Sequence, residues 1–192
     1  MRNSLATVRV LAVVLLLPAC ANPLNEATAA RYSETCATAE RNGRLDVAEQ
    51  ACYRALVNVD WGHLGDIQRS NKMYNLGRIK RKVGKFDEAA TLYQESLAIE
   101  EKQPQPSQER IGRRVAELAL LYLDQKQVAE GIVYAERLLP YAGMYQGNEK
   151  RAVAAVLYMY AQELQKEGQS EMAARLGKKA EEMGVDPAEF PR

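Results

Sequence analysis

From residue 26 onward the apolar positions recur every three or four residues, the spacing of a helix that buries one face. Four short polar breaks interrupt that rhythm. They centre on Gly43 in AERNGRLDVAEQACYRAL, Gly84 in IKRKVGKFDEAATLYQESL, Lys126 in LYLDQKQVAEGIVYAERLL and Gly168 in ELQKEGQSEMAARLGKKAE, at intervals of 41, 42 and 42 residues. An apolar residue such as Leu76, Leu118 or Tyr160 precedes the break at a fixed helical offset. A small residue follows it by five positions: Ala48, Ala89, Gly131 and Ala173. The pattern predicts helices over 26–41, 46–58, 66–83, 87–101, 108–125, 128–139, 148–166 and 170–183, with an irregular tail over 184–192. Pro104, Pro106 and Pro140 fall between these segments, where a missing backbone donor does no harm. Asn25, Ser107 and Asn148 read as helix caps. Ahead of the periodic region lies a different pattern, an unbroken apolar run of eight residues from Val10 to Leu17. Crossing a bilayer takes about 20 such residues, so this run is too short to stay in a membrane as a helix.

Four phased helix-turn-helix units resemble the tetratricopeptide repeat. The second unit matches best, through Leu76, Gly77, Gly84, Phe86, Ala89, Tyr93 and Leu97, with Ser96 where that family usually has Ala. The third matches through Leu118, Ala119, Tyr122 and Gly131. The fourth matches through Ala161, Gly168, Ala173 and Ala180, with Gly177 where an aromatic is usual. The first keeps Tyr32, Gly43, Leu45, Ala48 and Ala55, with Cys36 and Cys52 at two packing positions. The resemblance implies an all-α fold, an α-solenoid of about four hairpins over 26–62, 66–103, 107–143 and 148–183 in a short right-handed superhelix. No hairpin of this kind can bury its apolar face alone, so neighbours must stack. The repeat is usually about 34 residues long; the additional residues here are expected to lengthen the first helix of each pair.

The amino-terminal pattern changes the picture of where such a solenoid works. Arg2 and Arg9 supply positive charge, no acidic residue precedes Glu26, and residues 1–19 read as a secretion signal. Its end, Leu17-Pro18-Ala19-Cys20, resembles the lipobox of bacterial lipoproteins. That resemblance implies cleavage before Cys20, acylation of the Cys20 thiol and amine, and a bacterial envelope location. Ala21 in place of Asp implies the outer membrane, facing the periplasm. Residues 20–25 would form a short tether. The chain carries 26 basic and 25 acidic residues, and loss of Arg2 and Arg9 with the leader leaves 24 against 25, a net charge of −1. Such a balance gives no reason to expect a nucleic-acid partner.

Candidate chemistry is sparse. Cys36 and Cys52 lie on facing helices of the first hairpin, and an oxidising compartment favours their closure into a disulfide. A loop of that size would stabilise by about 3 kcal/mol; the alternative is two small packing residues. They are no metal site, lacking a nearby His or a CxxC spacing. His63, the sole histidine, has no nucleophile beside it, and no phosphate loop, HExxH or GxSxG occurs. No enzyme, cofactor or metal is therefore expected. The basic stretch RIKRKVGK places Arg78, Lys80, Arg81, Lys82 and Lys85 together, either as a solvated face or as part of a groove. By the family resemblance, Asn71, Tyr74, Asn75, Arg78, Arg81, Lys82, Arg113 and Tyr158 would line a concave partner-binding groove. An acidic peptide would suit it. Tyr134, Tyr141, Tyr145, Tyr158 and Tyr160 crowd the junction of the third and fourth units, either as packing or as an interface, with Tyr141 and Tyr145 expected in a loop. The functional expectation is a lipid-anchored, non-catalytic scaffold that binds an envelope protein in a pilus or secretin, outer-membrane assembly or cell-wall enzyme complex. A self-associating structural subunit is the alternative, and a peptidoglycan-binding or hydrolytic protein a weaker one.

Overall fold

A computed structural model describes residues 22–184. The leader, Cys20 and the last eight residues of the tail lie outside the described residues. The described residues form eight α-helices and one 3-10 segment, with no strand. They are α1 Pro23–Arg41, α2 Leu45–Trp61, α3 Asp66–Lys82, α4 Phe86–Glu101, α5 Gln108–Asp124, α6 Val128–Leu138, the 3-10 segment Leu139–Met144, α7 Gly147–Lys166 and α8 Ser170–Glu182. Successive helices pair as antiparallel hairpins, and each hairpin packs on the next, as in an α-solenoid.

The four polar breaks are the hairpin turns, and all four close in the same way. Gly43, Gly84, Lys126 and Gly168 take left-handed φ values of 70°, 78°, 59° and 77°. The following amide then reaches back five residues: Arg44 N to Ala39 O, Lys85 N to Lys80 O, Gln127 N to Tyr122 O and Gln169 N to Leu164 O, at 2.8–2.9 Å. This closure satisfies the carbonyls a helix end leaves open, and glycine is favoured because the left-handed conformation crowds a Cβ. Lys126 is the non-glycine exception.

Helix entries differ from the sequence expectation at two places. Asn22, not Asn25, caps α1, accepting from Leu24 N at 3.0 Å, and Pro23 takes the first helical position, where its missing N–H is not needed. Asn148 lies inside α7, which begins at Gly147 with Gln146 as its cap. Ser107 does cap α5. The first helix is the longer one in every pair, with 19 residues against 17, 17 against 16, 17 against 11 and 20 against 13, although in the first two pairs the second helix is nearly as long.

The core has two parts. A large cluster runs from Ala89 on α4 to Met183 at the end of α8. A smaller one joins Cys36, Ala39, Ala48, Ala51 and Cys52 of the first hairpin to Leu76 and Ile79 of α3. Small residues let α1 and α2 approach closely, and a disulfide joins Cys36 to Cys52 with their Cα atoms 5.2 Å apart, inside the range a bridge requires.

Between the second and third hairpins a buried polar network interrupts the apolar core. Ser70, Ser96, Glu100 and Arg114 are all buried. Arg114 donates from Nε to Ser96 Oγ at 2.7 Å, from Nη1 to Arg110 O at 2.9 Å, and from Nη2 to Ser70 Oγ and Glu100 Oε1 at 2.9 and 3.1 Å. Ser96 in turn donates to Ser70 O at 2.8 Å, and Arg110 Nε donates to the second Glu100 oxygen at 2.8 Å. The hydroxyl that departs from the family's usual Ala therefore has a definite partner. Burial lowers the Arg114 pKa, and the Glu100 carboxylate opposes that shift.

Two expectations follow. Arg114→Ala removes one of the two guanidiniums on the buried Glu100 carboxylate, leaving Arg110 on the other oxygen, and is expected to lower stability by about 1.5–3 kcal/mol, read by urea denaturation. At the first hairpin, Lys80 and then Lys85 hold the Glu49 carboxyl below its usual 4.5. The folded chain thus favours the ionised form, so this contribution is complete above 4.5 and fades as the pH falls through the lowered value. Glu49→Gln should cost up to about 1 kcal/mol at neutral pH, and thermal melts of variant and wild type should converge in acid.

Candidate functional site

The first helices of hairpins two, three and four, α3, α5 and α7, lie side by side and line a groove of about 430 Å³. α3 contributes Tyr74, Asn75 and Arg78. α5 contributes Arg113, Ala116, Glu117 and Leu120, one face at helical spacing, and α7 repeats it with Glu149, Ala152, Val153 and Val156. Tyr145 closes the wall just after the 3-10 segment. The aliphatic floor comes from α5 and α7, and the charges stand on all three helices: Arg78 on α3, Arg113 and Glu117 on α5, and Glu149 on α7.

Those charges balance. Arg113 Nη2 meets Glu149 at 3.0 Å and Glu109 at 2.9 Å. Arg78 meets Glu40 at 2.6 Å and Glu117 at 3.8 Å. Tyr74 lies between two guanidiniums, with Arg114 5.1 Å and Arg78 6.0 Å from its ring centre, and its ring is tilted against Tyr93. Burial first, and the nearby Glu117 carboxylate second, push the Tyr74 hydroxyl up to about 12. It remains protonated at any ordinary pH.

The remaining cations of the basic stretch are paired as well. Lys80 meets Glu49 at 2.7 Å and Glu88 at 2.5 Å, Arg81 meets Asp124 at 2.6 Å and Glu117 at 3.3 Å, Lys82 meets Glu40 at 2.6 Å, and Lys85 meets Glu49 at 2.6 Å. Five cations, Arg78 included, face five carboxylates: Glu40 on α1, Glu49 on α2, Glu88 on α4, and Glu117 and Asp124 on α5. Lys82 and Lys85 stay exposed to water, as on a solvated face, while Lys80 and Arg81 are largely covered, and each of the five cations has a carboxylate partner. The stretch ties α3 to the hairpins on both sides.

Of the eight residues expected in the groove, Tyr74, Asn75, Arg78 and Arg113 line it. Asn71 instead accepts from Arg114 at 3.1 Å as part of the buried network. Arg81 and Lys82 lie in the ion-pair seam at the end of α3. Tyr158 lines a second cavity, also of about 430 Å³, with Gln162 and Gln165 of α7 against Ala173 and Ala174 of α8. His63 sits exposed in the turn between α2 and α3, away from the groove, with a left-handed φ of 49°. Sequence reasoning missed Ala116, Glu117, Leu120 and the α7 stripe, and named Tyr145 only among the junction tyrosines that could form an interface. A signal existed in the three- and four-residue spacing from Arg113 through Ala116, Glu117 and Leu120.

Of the tyrosines at the third-to-fourth junction, Tyr145 stands in the loop between the 3-10 segment and α7, as expected, while Tyr141 does not, and three of the five pack against glycines. Tyr141 lies in the 3-10 segment, and both it and the buried Tyr145 cover Gly112, where an added Cβ would come 2.5 Å from the Tyr145 hydroxyl. Tyr160 covers Gly131 in the same manner. Tyr134 stacks on Tyr122 with ring centres 5.5 Å apart. The two buried hydroxyls differ: Tyr160 donates to Ala119 O at 2.8 Å, whereas the Tyr145 hydroxyl has no hydrogen-bond partner among the described residues. Among those residues there is also no cluster of metal-binding side chains and no helix long and apolar enough to cross a membrane.

No protein-family model matches the chain, and no curated protein matches it in sequence. Its shape is similar to solved structures. BtubC (BKLC) from P. vanneervenii superposes with a TM-score of 0.69 at 20% identity, over 88% of this chain and 68% of that one. A kinesin light chain-like protein of P. anserina, built of nearly identical TPR-like repeats, gives 0.61 at 20% identity over 81% and 74%. A point variant of that protein gives 0.62 at 20% over 84% and 77%. The chain therefore has the fold of a TPR-like α-solenoid.

The hydroxyl contrast is testable. Tyr160→Phe should cost about 0.5–1.5 kcal/mol by loss of a made hydrogen bond, while Tyr145→Phe should cost nothing or stabilise, since it removes a buried donor without a partner. Urea denaturation of the two variants side by side reads the difference.

Proposed function

We propose that this chain is a non-catalytic scaffold of the bacterial envelope, held at a membrane by acyl chains on Cys20 and binding a segment of another envelope protein in the groove of α3, α5 and α7. TPR-like folds generally serve as protein-binding scaffolds, which supports the first half of this reading. The lipobox-like Leu17-Pro18-Ala19-Cys20 supports the anchor. Two acyl chains hold firmly where one gives only reversible binding. The disulfide between Cys36 and Cys52 fits an oxidising compartment.

The single observation that carries the partner's chemistry is the pairing of every cation in the basic stretch with a carboxylate of this chain. An acidic peptide would have to displace those carboxylates, and the groove itself balances Arg78 and Arg113 with Glu117 and Glu149. The surface on offer is the aliphatic floor of Ala116, Leu120, Ala152, Val153 and Val156. The partner we propose is a segment that seats aliphatic side chains there, with its polar flanks meeting the balanced rim.

A photo-reactive amino acid at the exposed position 152 should cross-link one envelope protein in cells. Ala152→Trp, placed in a second cross-linking strain that carries the probe at position 120, should abolish that product by filling the groove. In parallel, labelled palmitate should enter the wild-type chain and not Cys20→Ser. An unchanged cross-linking pattern with Ala152→Trp would refute the groove reading, and an unlabelled wild-type chain the anchor.

A further inference from the structure

The start of α1 is fastened to the end of α2. Asn22 N donates to Gly62 O at 3.0 Å, and Asn25 Nδ2 donates to Asn58 O at 3.4 Å. Cys20 precedes Asn22 by two residues, so the backbone between them reaches at most about 7 Å. On the reading that Cys20 is acylated, on which this inference rests, the bilayer surface must lie against this end of the solenoid.

What that end exposes is apolar. Leu24 is 73% exposed and Trp61, beside the fastening point, 75%. Ile67 in the first turn of α3 follows on the same edge, where odd-numbered helices begin and even-numbered ones end. Among the described residues, none of the four hairpin turns on the opposite edge exposes a large hydrophobic side chain. Charge does not explain the asymmetry. Residues 22–27 and 58–69 hold no lysine, and their one arginine, Arg69, is paired with Asp60 at 3.1 Å. Exposed tryptophan on a water-soluble surface is costly, whereas its amphipathic ring suits the headgroup layer of a bilayer.

We propose that the tip formed by Leu24 and Trp61 rests in the interfacial layer of the membrane to which Cys20 is attached, so that the anchored solenoid stands in a fixed orientation rather than swinging on a leash. The contact is apolar, and with Glu26, Asp60 and Asp66 against Arg69 in these segments it favours a zwitterionic bilayer over an anionic one.

Trp61 is the only tryptophan, and Cys20 is the only cysteine outside the disulfide. The chain from Cys20 onward can therefore be coupled through that thiol to maleimide lipid in phosphatidylcholine vesicles and followed by its own fluorescence. The expected result is a blue shift of Trp61 emission on tethering, with quenching by lipids brominated near the headgroup exceeding that by lipids brominated deep in the tail. Leu24→Asp should weaken both. A tethered spectrum identical to that of the uncoupled chain would overturn the proposal. So would a shift that grows with protein density and resists brominated lipid, since a second copy would then be covering Trp61. Because the tether is made chemically, failure here is separate from failure of acylation, which the palmitate label decides.

Discussion

Helix α3 sits between two hairpins, and its last two turns carry four of the five cations of the basic stretch, with Lys85 in the turn that follows. Lys80 and Arg81 are the most covered of these, while Lys82 and Lys85 remain exposed. A covered charge is tolerable only when it is paired, because removal from water costs several kcal/mol for an unpaired ion. That requirement organises the molecule. Glu40 and Glu49 reach α3 from the first hairpin, and Glu117 and Asp124 reach it from the third. These ion pairs join three hairpins, alongside an apolar core in which Leu76, Ile79, Tyr93, Val115 and Leu118 are buried. Deeper in, Arg114 and Glu100 repeat the device with serine hydroxyls in support.

The same pairing decides what the groove can recognise. With its cations engaged, the concave surface offers aliphatic floor and a neutral rim, and the protein-binding role of a TPR-like solenoid takes a specific chemical form. Close approach of the helices makes room for this floor: Gly112 lets Tyr145 and Tyr141 lie against α5, and Gly131 does the same for Tyr160. Rigid rings on small residues set the distance between the third and fourth hairpins, and so the width of the groove between α5 and α7.

The helices were legible because apolar spacing and turn residues are local signals. Gly43, Gly84 and Gly168 mark turns for a reason a single residue carries, and Lys126 was found by its offset from them. The cap at Asn22 was misplaced to Asn25 because both are asparagines ahead of a helical pattern; Pro23 at the first helical position was the deciding clue. The groove was half legible. Tyr74, Asn75, Arg78 and Arg113 could be placed by resemblance, but Glu49 lies 31 residues from Lys80, and Asp124 lies 43 from Arg81. No local pattern reports such pairings. For the same reason Ser96 read as a departure from the repeat, when its hydroxyl serves an arginine 18 residues on.

Selection of random displayed peptides against the immobilised chain, with Ala152→Trp as the counter-target, measures directly what the groove prefers. The account predicts recovered sequences that share aliphatic anchors and show no enrichment in Asp or Glu, with binding that persists as salt is raised. Runs of acidic residues, bound tightly at low salt and lost at high salt, would mean that the cations of α3 are available to a partner after all.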